Sequence, residues 1–310
     1  MNEDLERQAL RDLLTASLRE QRAARRWGIF FKLMTLAWLL AVVLIASGVL
    51  NGGQDESAAG EHTAVVSMEG MIAAGGETDS SQVLDGLRSA FEDNNTRAVI
   101  LRANSPGGSP VQAGMINDEI QLLKQKHPKI PFYVVIEDVC ASGCYYVAAA
   151  ADKIYADKAS MVGSIGVLMD GFGFTGAMEK FGVERRLLTA GENKGFLDPF
   201  SPLRQEQRAK AQVMLNEVHQ QFIQVVKTGR GKKLADNPDL FTGLVWSGAT
   251  AQKLGLVDEL SSVDRVARDV VKVENLVDFT TKPSWADRVA RQIGVAAATK
   301  LGSELKLQLK

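Results

Sequence analysis

Few residues in this chain have both the type and the setting for covalent chemistry, and Ser142 is the first. It stands in VCASGCYY, residues 139–146, where the apolar run IPFYVVIEDVCA hands over to CYYVAAAA. A strand passing into a buried helix would put this serine at a helix start. There it can serve as an N-cap, or as a nucleophile close to free N–H groups. A serine hydroxyl is a poor nucleophile without a base, and ASGCYY is not the Gly-x-Ser-x-Gly elbow. Local sequence alone therefore favours the cap.

The base is the harder residue to find. His62 sits at a linker exit, His127 in the turn KHPKI and His219 inside a long helical run. None has a loop setting that suggests a placed imidazole, although any of them could approach Ser142 in space, so a histidine triad is disfavoured but stays open. Lysine is the other option, and it acts as a base only where burial lowers its pKa. Lys124, Lys126, Lys210 and Lys227 read as exposed helix residues. Lys194 differs, lying in the glycine-bracketed loop TAGENKGFLDPFSP. On local sequence alone it is a solvated lysine paired with Glu192 or Asp198.

Three further stretches bear on such a site. NSPGGSP, residues 104–110, follows the strand-like RAVILRA and precedes a helix. Its glycines are an ordinary βα turn or a source of exposed N–H donors for an oxyanion; it is not a phosphate loop, because no Gly-Lys-Ser/Thr follows. MVGSIGV places Ser164 between glycines, where its hydroxyl could orient a neutral lysine or satisfy local backbone. Cys140 and Cys144 flank Ser142. They are too few for a disulfide framework or a closed zinc site, and read first as small apolar filler. A disulfide between them is open outside the cytoplasm, its geometry across a four-residue separation not fixed by spacing; Cys144 as nucleophile is a minor alternative, since no feature depresses its pKa.

The elements that must position these residues alternate. TAVVSM, RAVILRA and PFYVVIED read as strands, as do KIYAD, SMVGSIGVLM and ERRLLTA. VQAGMINDEIQLLKQK, SGCYYVAAAAD and FTGAMEKFGV read as helices, and residues 202–231 as one long amphipathic helix ending at Gly231. Such alternation predicts α/β architecture with parallel pairing. The 310 residues are 45% hydrophobic, and a net charge of −1 gives no reason to expect nucleic acid as a partner.

The ends read differently. Residues 1–28 form a basic helical segment, and the first 32 residues hold seven basic and five acidic side chains. Residues 33–50, LMTLAWLLAVVLIASGVL, carry no charge. With WGIFF before them they can cover a bilayer core of about 30 Å. The expectation is a transmembrane signal anchor over residues 29–50, with the N-terminus cytoplasmic and the remainder on the far side; a cleaved signal peptide is the rival. A linker over residues 51–61 then leads to a catalytic domain over 62–282. A tail over 283–310 is either an oligomer or lipid contact or a peripheral terminus.

Taken in order, NSPGG, ASGCYYVAAAADKIYADKASMVGSIGV, GENKGFLDPFSPL, VKTGRG and GLVWSGATAQKLGLVDEL resemble the signal peptide peptidase A (protease IV) serine peptidases, in their short, single-domain form. The resemblance runs from about residue 63 to about residue 273. It implies a fold similar to the Clp protease and crotonase superfamily, and a Ser/Lys dyad. Ser142 would be the nucleophile and Lys194, 52 residues later, the general base. Gly108 and Gly143 would supply the oxyanion donors, which glycine of the Gly107–Gly108 pair donates being open. The resemblance also implies a ring-like homo-oligomer, an octamer for the short form, whose lysine can come from a neighbouring subunit. Its substrates would be cleaved signal peptides, met at the outer side of a bacterial inner membrane, with neither metal nor cofactor. Cysteines beside Ser142 and bulky residues after Lys194 depart from the family's usual appearance. Two other functions share these features: a crotonase-fold acyl-thioester enzyme, and a non-catalytic membrane scaffold.

Overall fold

The computed structural model describes residues 22, 25–42, 60–76 and 78–281. Residues 25–42 are helical (α1) and almost wholly exposed, with Trp27, Phe30 and Phe31 clustered at ring separations of 5.7 Å. Among the described residues no helix is long and apolar enough to cross a membrane. Residues 43–50 of the expected anchor lie outside the described residues. So do most of the N-terminal segment, the linker up to residue 59 and the tail from residue 283.

Residues 58–282 form one compact unit. Its strands are β1 (His62–Glu69), β2 (Thr96–Ser105), β3 (Phe132–Ala141), β4 (Lys153–Ala156), β5 (Met161–Gly163), β6 (Val245–Ser247), β7 (Glu259–Leu260) and β8 (Leu276–Asp278). They make one sheet in the order β6-β5-β3-β2-β1-β8, with β4 pairing β3 and β7. Every pairing is parallel except β5 with β6. Parallel strands need crossovers. Those before β2 and β3 are the helices α2 (Ser80–Glu92) and α3 (Pro110–Lys126). The α/β expectation is met.

Burial explains the continuous apolar runs. In β2, Ala98, Val99, Ile100 and Leu101 are all fully buried, because the strand is covered on both faces. One face carries the main core with α2, α3, α4 (Gly143–Ala148) and α6 (Gln205–Arg230); the other carries Ile100, Val135, Tyr155 and Val266. Each fully buried Leu or Phe stabilises the fold by about 2 kcal/mol. Tyr155, buried on the second face, has its phenol pushed up to about 12, chiefly by burial.

The end of β3 positions the candidate serine. β3 first pairs β4 through Tyr133–Ile136, then pairs β5 through Val139–Ala141. The chain steps from one partner to the next through a turn held by Ser160, whose buried hydroxyl donates to the Glu137 carbonyl. On the other side the β2–β3 register slips between Ala103 and Ser105, so that Ser105 pairs with Cys140. Such irregularities re-aim a strand end.

Two expectations fail locally. SMVGSIGVLM is a strand only over Met161–Gly163. ERRLLTA is not a strand, and its residues are exposed, Leu188 by 96%. β5 is already flanked by β3 and β6, and the stretch pairs with no other strand. Instead this stretch belongs to an excursion between β5 and α6 that contains the short α5 (Thr175–Lys180).

At the far end of α6, Arg230 is fully buried and donates to Asp258 at 2.8 Å and to the Gly255 carbonyl at 2.9 Å. Asp258 also accepts from Lys233 at 2.7 Å and from the Ile154 amide at 2.7 Å, which ties α6 to β4. Burial pushes the Asp258 carboxyl up, but the hydrogen bonds from Arg230, Lys233 and Ile154 outweigh it and hold the group below its ordinary value. A carboxylate lowered in the folded state contributes stability above its unfolded pKa of about 3.9, and that contribution is lost as pH falls through the folded value. Asp258→Asn should therefore cost about 3 kcal/mol at neutral pH, since it strands a buried guanidinium. Urea denaturation checks this: the gap between the variant and the parent should narrow below about pH 4.

Candidate active site

Ser142 sits between β3 and α4 with φ 52° and ψ −123°. A non-glycine residue at positive φ is uncommon and persists only where its surroundings over-determine it. Here the Ser142 amide donates to the Gly163 carbonyl at 2.8 Å, and the Tyr146 amide donates to the Ser142 carbonyl at 3.0 Å. The hydroxyl makes no capping bond to the helix. The capping role that local sequence favoured is thus not the one the side chain performs; the hydroxyl is left free in a half-buried position.

The glycine loop lies directly against this turn. Gly107 has φ 97°, and a Cβ there would stand 2.8 Å from the Ser142 Cβ and 2.7 Å from the Gly143 nitrogen. No other residue type fits so close an approach. The Gly107 amide donates to the buried Ser105 hydroxyl at 3.1 Å. The loop is also pinned to the segment after β1, where the Ile72 amide donates to the Gly107 carbonyl and the Ser109 amide to the Ile72 carbonyl. The Gly108 amide is left over. A Cβ built on Gly143 would lie 3.3 Å from that Gly108 nitrogen, so the two residues are neighbours. Neither the Gly108 nor the Gly143 N–H donates to any described residue. Gly143 opens α4, where an N–H has no intrahelical partner.

Ser164 stands level with Ser142, because Ala141 pairs with Gly163. It too has φ 52°, and its amide donates to the Leu244 carbonyl at 2.7 Å. The next carbonyl, that of Ile165, accepts from Nε2 of His219 at 3.1 Å. His219 therefore braces the segment behind Ser164 and is not bonded to Ser142. His62 is buried at the other end of β1 and bonds Thr96 at 3.1 Å.

Lys194 is exposed, in a series of turns within the β5–α6 excursion. Among the described residues its ammonium makes neither an ion pair nor a hydrogen bond, to Ser142 or to any other group. The pairings expected of a solvated lysine are absent: Asp198 pairs with Arg185 at 3.3 Å and accepts from the Ser201 hydroxyl at 2.7 Å. The excursion is organised by Phe174 stacked on Phe200 at 5.3 Å, with the Arg185 guanidinium over the same Phe200 ring. It nonetheless leaves Leu168, Phe172, Phe181 and Leu188 at least 75% exposed.

The cysteines are the clearest departure from expectation. Cys140 and Cys144 are joined as a disulfide with their Cα atoms 5.1 Å apart. The turn between strand and helix brings the two Cβ atoms within reach, which spacing alone could not establish. Local sequence gave no sign of Ser105 and Ile72 as parts of the site, and weighed His219 only as a base. The Ile72 and His219 contacts are long-range, whereas that of Ser105 to the Gly107 amide spans two residues; only the Gly-Gly pair marked the loop in advance. A polar cleft of about 970 Å³, lined in part by Arg102, Glu137, Lys158, Ser160 and Arg265, lies elsewhere and includes none of the candidate residues.

Comparison with known proteins bears on the segment that holds these residues. The sequence model of peptidase family S49 matches residues 124–277, a span that includes Ser142, Gly143, Ser164 and Lys194. A Brucella melitensis protein named Na(+)/H(+) antiporter NhaA is 46% identical over 204 residues, which are 64% of this chain but 28% of that protein. The chain thus spans well under half of that relative, whose name describes the whole of it. Protease 4 of Haemophilus influenzae is 33% identical, over 79% of this chain and 41% of its own length. A Synechocystis protein that carries a provisional protease name is 30% identical, over 64% of this chain and 69% of its own. Together with the ordered motifs around Ser142, these matches establish that the chain belongs to peptidase family S49.

Proposed function

We propose that this protein is a membrane-anchored serine endopeptidase with a Clp protease/crotonase-like fold, using a Ser142/Lys194 dyad against cleaved signal peptides and other short apolar peptides. The observation that carries this reading is the turn at Ser142. A hydroxyl is held at positive φ at a strand exit, beside two neighbouring N–H groups, and none of the three has a hydrogen-bond partner among the described residues. In the proposed reaction Lys194 removes the Ser142 proton as the hydroxyl attacks a peptide carbonyl. The oxyanion is received by the N–H groups of Gly108 and Gly143. The lysine returns the proton to the leaving amine, and water then hydrolyses the acyl-enzyme. That the Gly107 amide is already engaged by Ser105 supports Gly108 as the loop donor.

Lysine serves as a base only when desolvated. The exposed setting of Lys194 in a single chain leaves that desolvation to a neighbouring copy. Apolar side chains exposed along the same excursion support a homo-oligomer, proposed as a ring. Ser164, level with Ser142, is suited to orient the incoming amine. The Cys140–Cys144 disulfide supports an oxidising, extracytoplasmic location for the domain. This agrees with the anchor and the N-terminus-inside orientation read from sequence.

Lys194→Ala should lower kcat on a short apolar peptide by about 10³-fold while leaving the oligomer intact by sedimentation. Retained turnover would remove the dyad. Mixing Ser142→Ala with Lys194→Ala subunits should restore part of the activity; a mixture that assembles and stays inactive would show that the dyad is not completed between chains. Gly107→Ala should abolish labelling of Ser142 by a peptidyl fluorophosphonate and cost of order 1–3 kcal/mol, because the methyl group meets Ser142 and a positive φ together. Unchanged labelling would mean that the loop does not shape the site.

A further inference from the structure

We propose that the Cys140–Cys144 disulfide is a positioning element for the nucleophile, holding Ser142 in its reactive backbone conformation. The inference rests on the reading of Ser142 as the nucleophile. Cys140 lies one residue before the end of β3, and Cys144 is the second residue of α4. The bridge closes a loop whose interior is Ala141, Ser142 and Gly143, with the serine at its centre.

Other restraints at the turn act on its two sides separately. The bond from Ser142 to Gly163 fixes the strand side, and the bond from Tyr146 to Ser142 fixes the first turn of the helix on itself. Asn117 of α3 donates to the Tyr146 carbonyl at 2.8 Å and holds the helix further along. The Gly107 loop packs across both sides of the turn but is not bonded to them; among the described residues the disulfide is the covalent tie from the start of the helix back to the strand. It thereby fixes the direction in which α4 leaves β3, and with it the place of the Gly143 N–H beside that of Gly108. Both cysteines are fully buried in the main core, so the link is to a rigid surrounding.

Stabilisation of a fold by a disulfide grows with the length of the loop it closes. This loop is among the shortest possible, and the domain has an extensive core besides. The effect of the bridge is therefore local. Opening it should lower reactivity at Ser142 far more than it lowers resistance to unfolding.

Reduction by dithiothreitol is a two-electron exchange. One reagent thiolate attacks a cysteine sulfur and displaces the other cysteine as thiolate. The second reagent thiol then releases the first cysteine, and the reagent leaves as a cyclic disulfide. Both protein sulfurs end as thiols. Because they are buried, a Cys140→Ala/Cys144→Ala variant is needed alongside the reduced protein.

The test uses the full chain in detergent. It compares oxidised parent, reduced parent (identified by a mass gain of two hydrogens), reoxidised parent and the double variant. The readouts are the rate of acylation by a peptidyl fluorophosphonate, kcat and KM on a short apolar peptide, and Tm. The reduced parent and the double variant should lose about tenfold to hundredfold in acylation rate and kcat. KM should stay within about twofold and Tm within a few degrees, since the loop is short. Reoxidation should restore the parent and leave the double variant unchanged. Equal acylation of oxidised and reduced parent would overturn the proposal, as would a Tm that collapses in step with activity in both altered forms. Turnover by oxidised Ser142→Ala would instead remove the serine reading itself, so the two failures are distinguishable.

Discussion

The structure depends on one tight contact: the Gly107 backbone packed against the Ser142 turn. A Cβ at Gly107 would stand under 3 Å from Ala141, Ser142 and Gly143 at once. That closeness makes Gly108 and Gly143 neighbours, a Cβ built on Gly143 lying 3.3 Å from the Gly108 nitrogen. It also requires everything around it to be fixed. The turn after β1 holds the glycine loop through Ile72, Ser105 holds it from beneath, and β5 holds Ser142 from the other side. An N–H left without a partner in such a setting is costly. Two of them on neighbouring residues at a strained turn are what the proposed oxyanion role rests on.

The wider architecture reads as support for that contact. The long β3 outruns β4 and would be unpaired at its end without β5. The turn at Ser160 places β5 there, and β6 closes its outer edge in the antiparallel sense. Behind it, α6 reaches back with His219 to the Ile165 carbonyl, while its far end is locked by the buried Arg230–Asp258 pair. A single helix thus couples the base of the domain to the segment beside Ser142. The excursion that carries Lys194 is organised around Phe174, Phe200 and Arg185 yet exposes several large apolar side chains. Such a combination of local order and apolar exposure fits a surface that is completed by another copy.

Much of the fold was legible from the residues. The buried runs of β2 and β3 and the periodicity of α3 and α6 lie within three residues of their predicted places. Their signals are long and their burial is uniform. The misreadings fell where pairing, not composition, decides. ERRLLTA has strand composition but pairs with no strand of the sheet, and its residues stay exposed. SMVGSIGVLM ends as a strand at Gly163 because Ser164 turns out of the sheet at positive φ. At the site, Ser142 was visible as a serine at a strand–helix junction, and the loop as a Gly-Gly pair. Their mutual contact is a fact of register between β2, β3 and β5, which no local pattern encodes.

The sequence by itself determined the chemistry on offer: a serine at a junction, a lysine in a glycine-bracketed loop, a glycine pair after a strand, and an uncharged stretch suited to a membrane. Residue types and their order carry that information. Only the tertiary structure decided that the Ser142 hydroxyl does not cap its helix, that the Gly107 amide is engaged while the Gly108 amide has no partner among the described residues, and that Cys140 and Cys144 are bonded across Ser142. Each of these turns on distances of a few ångströms between segments far apart in the chain, or on the direction of a single turn. Such distances are set by the packing of the whole sheet.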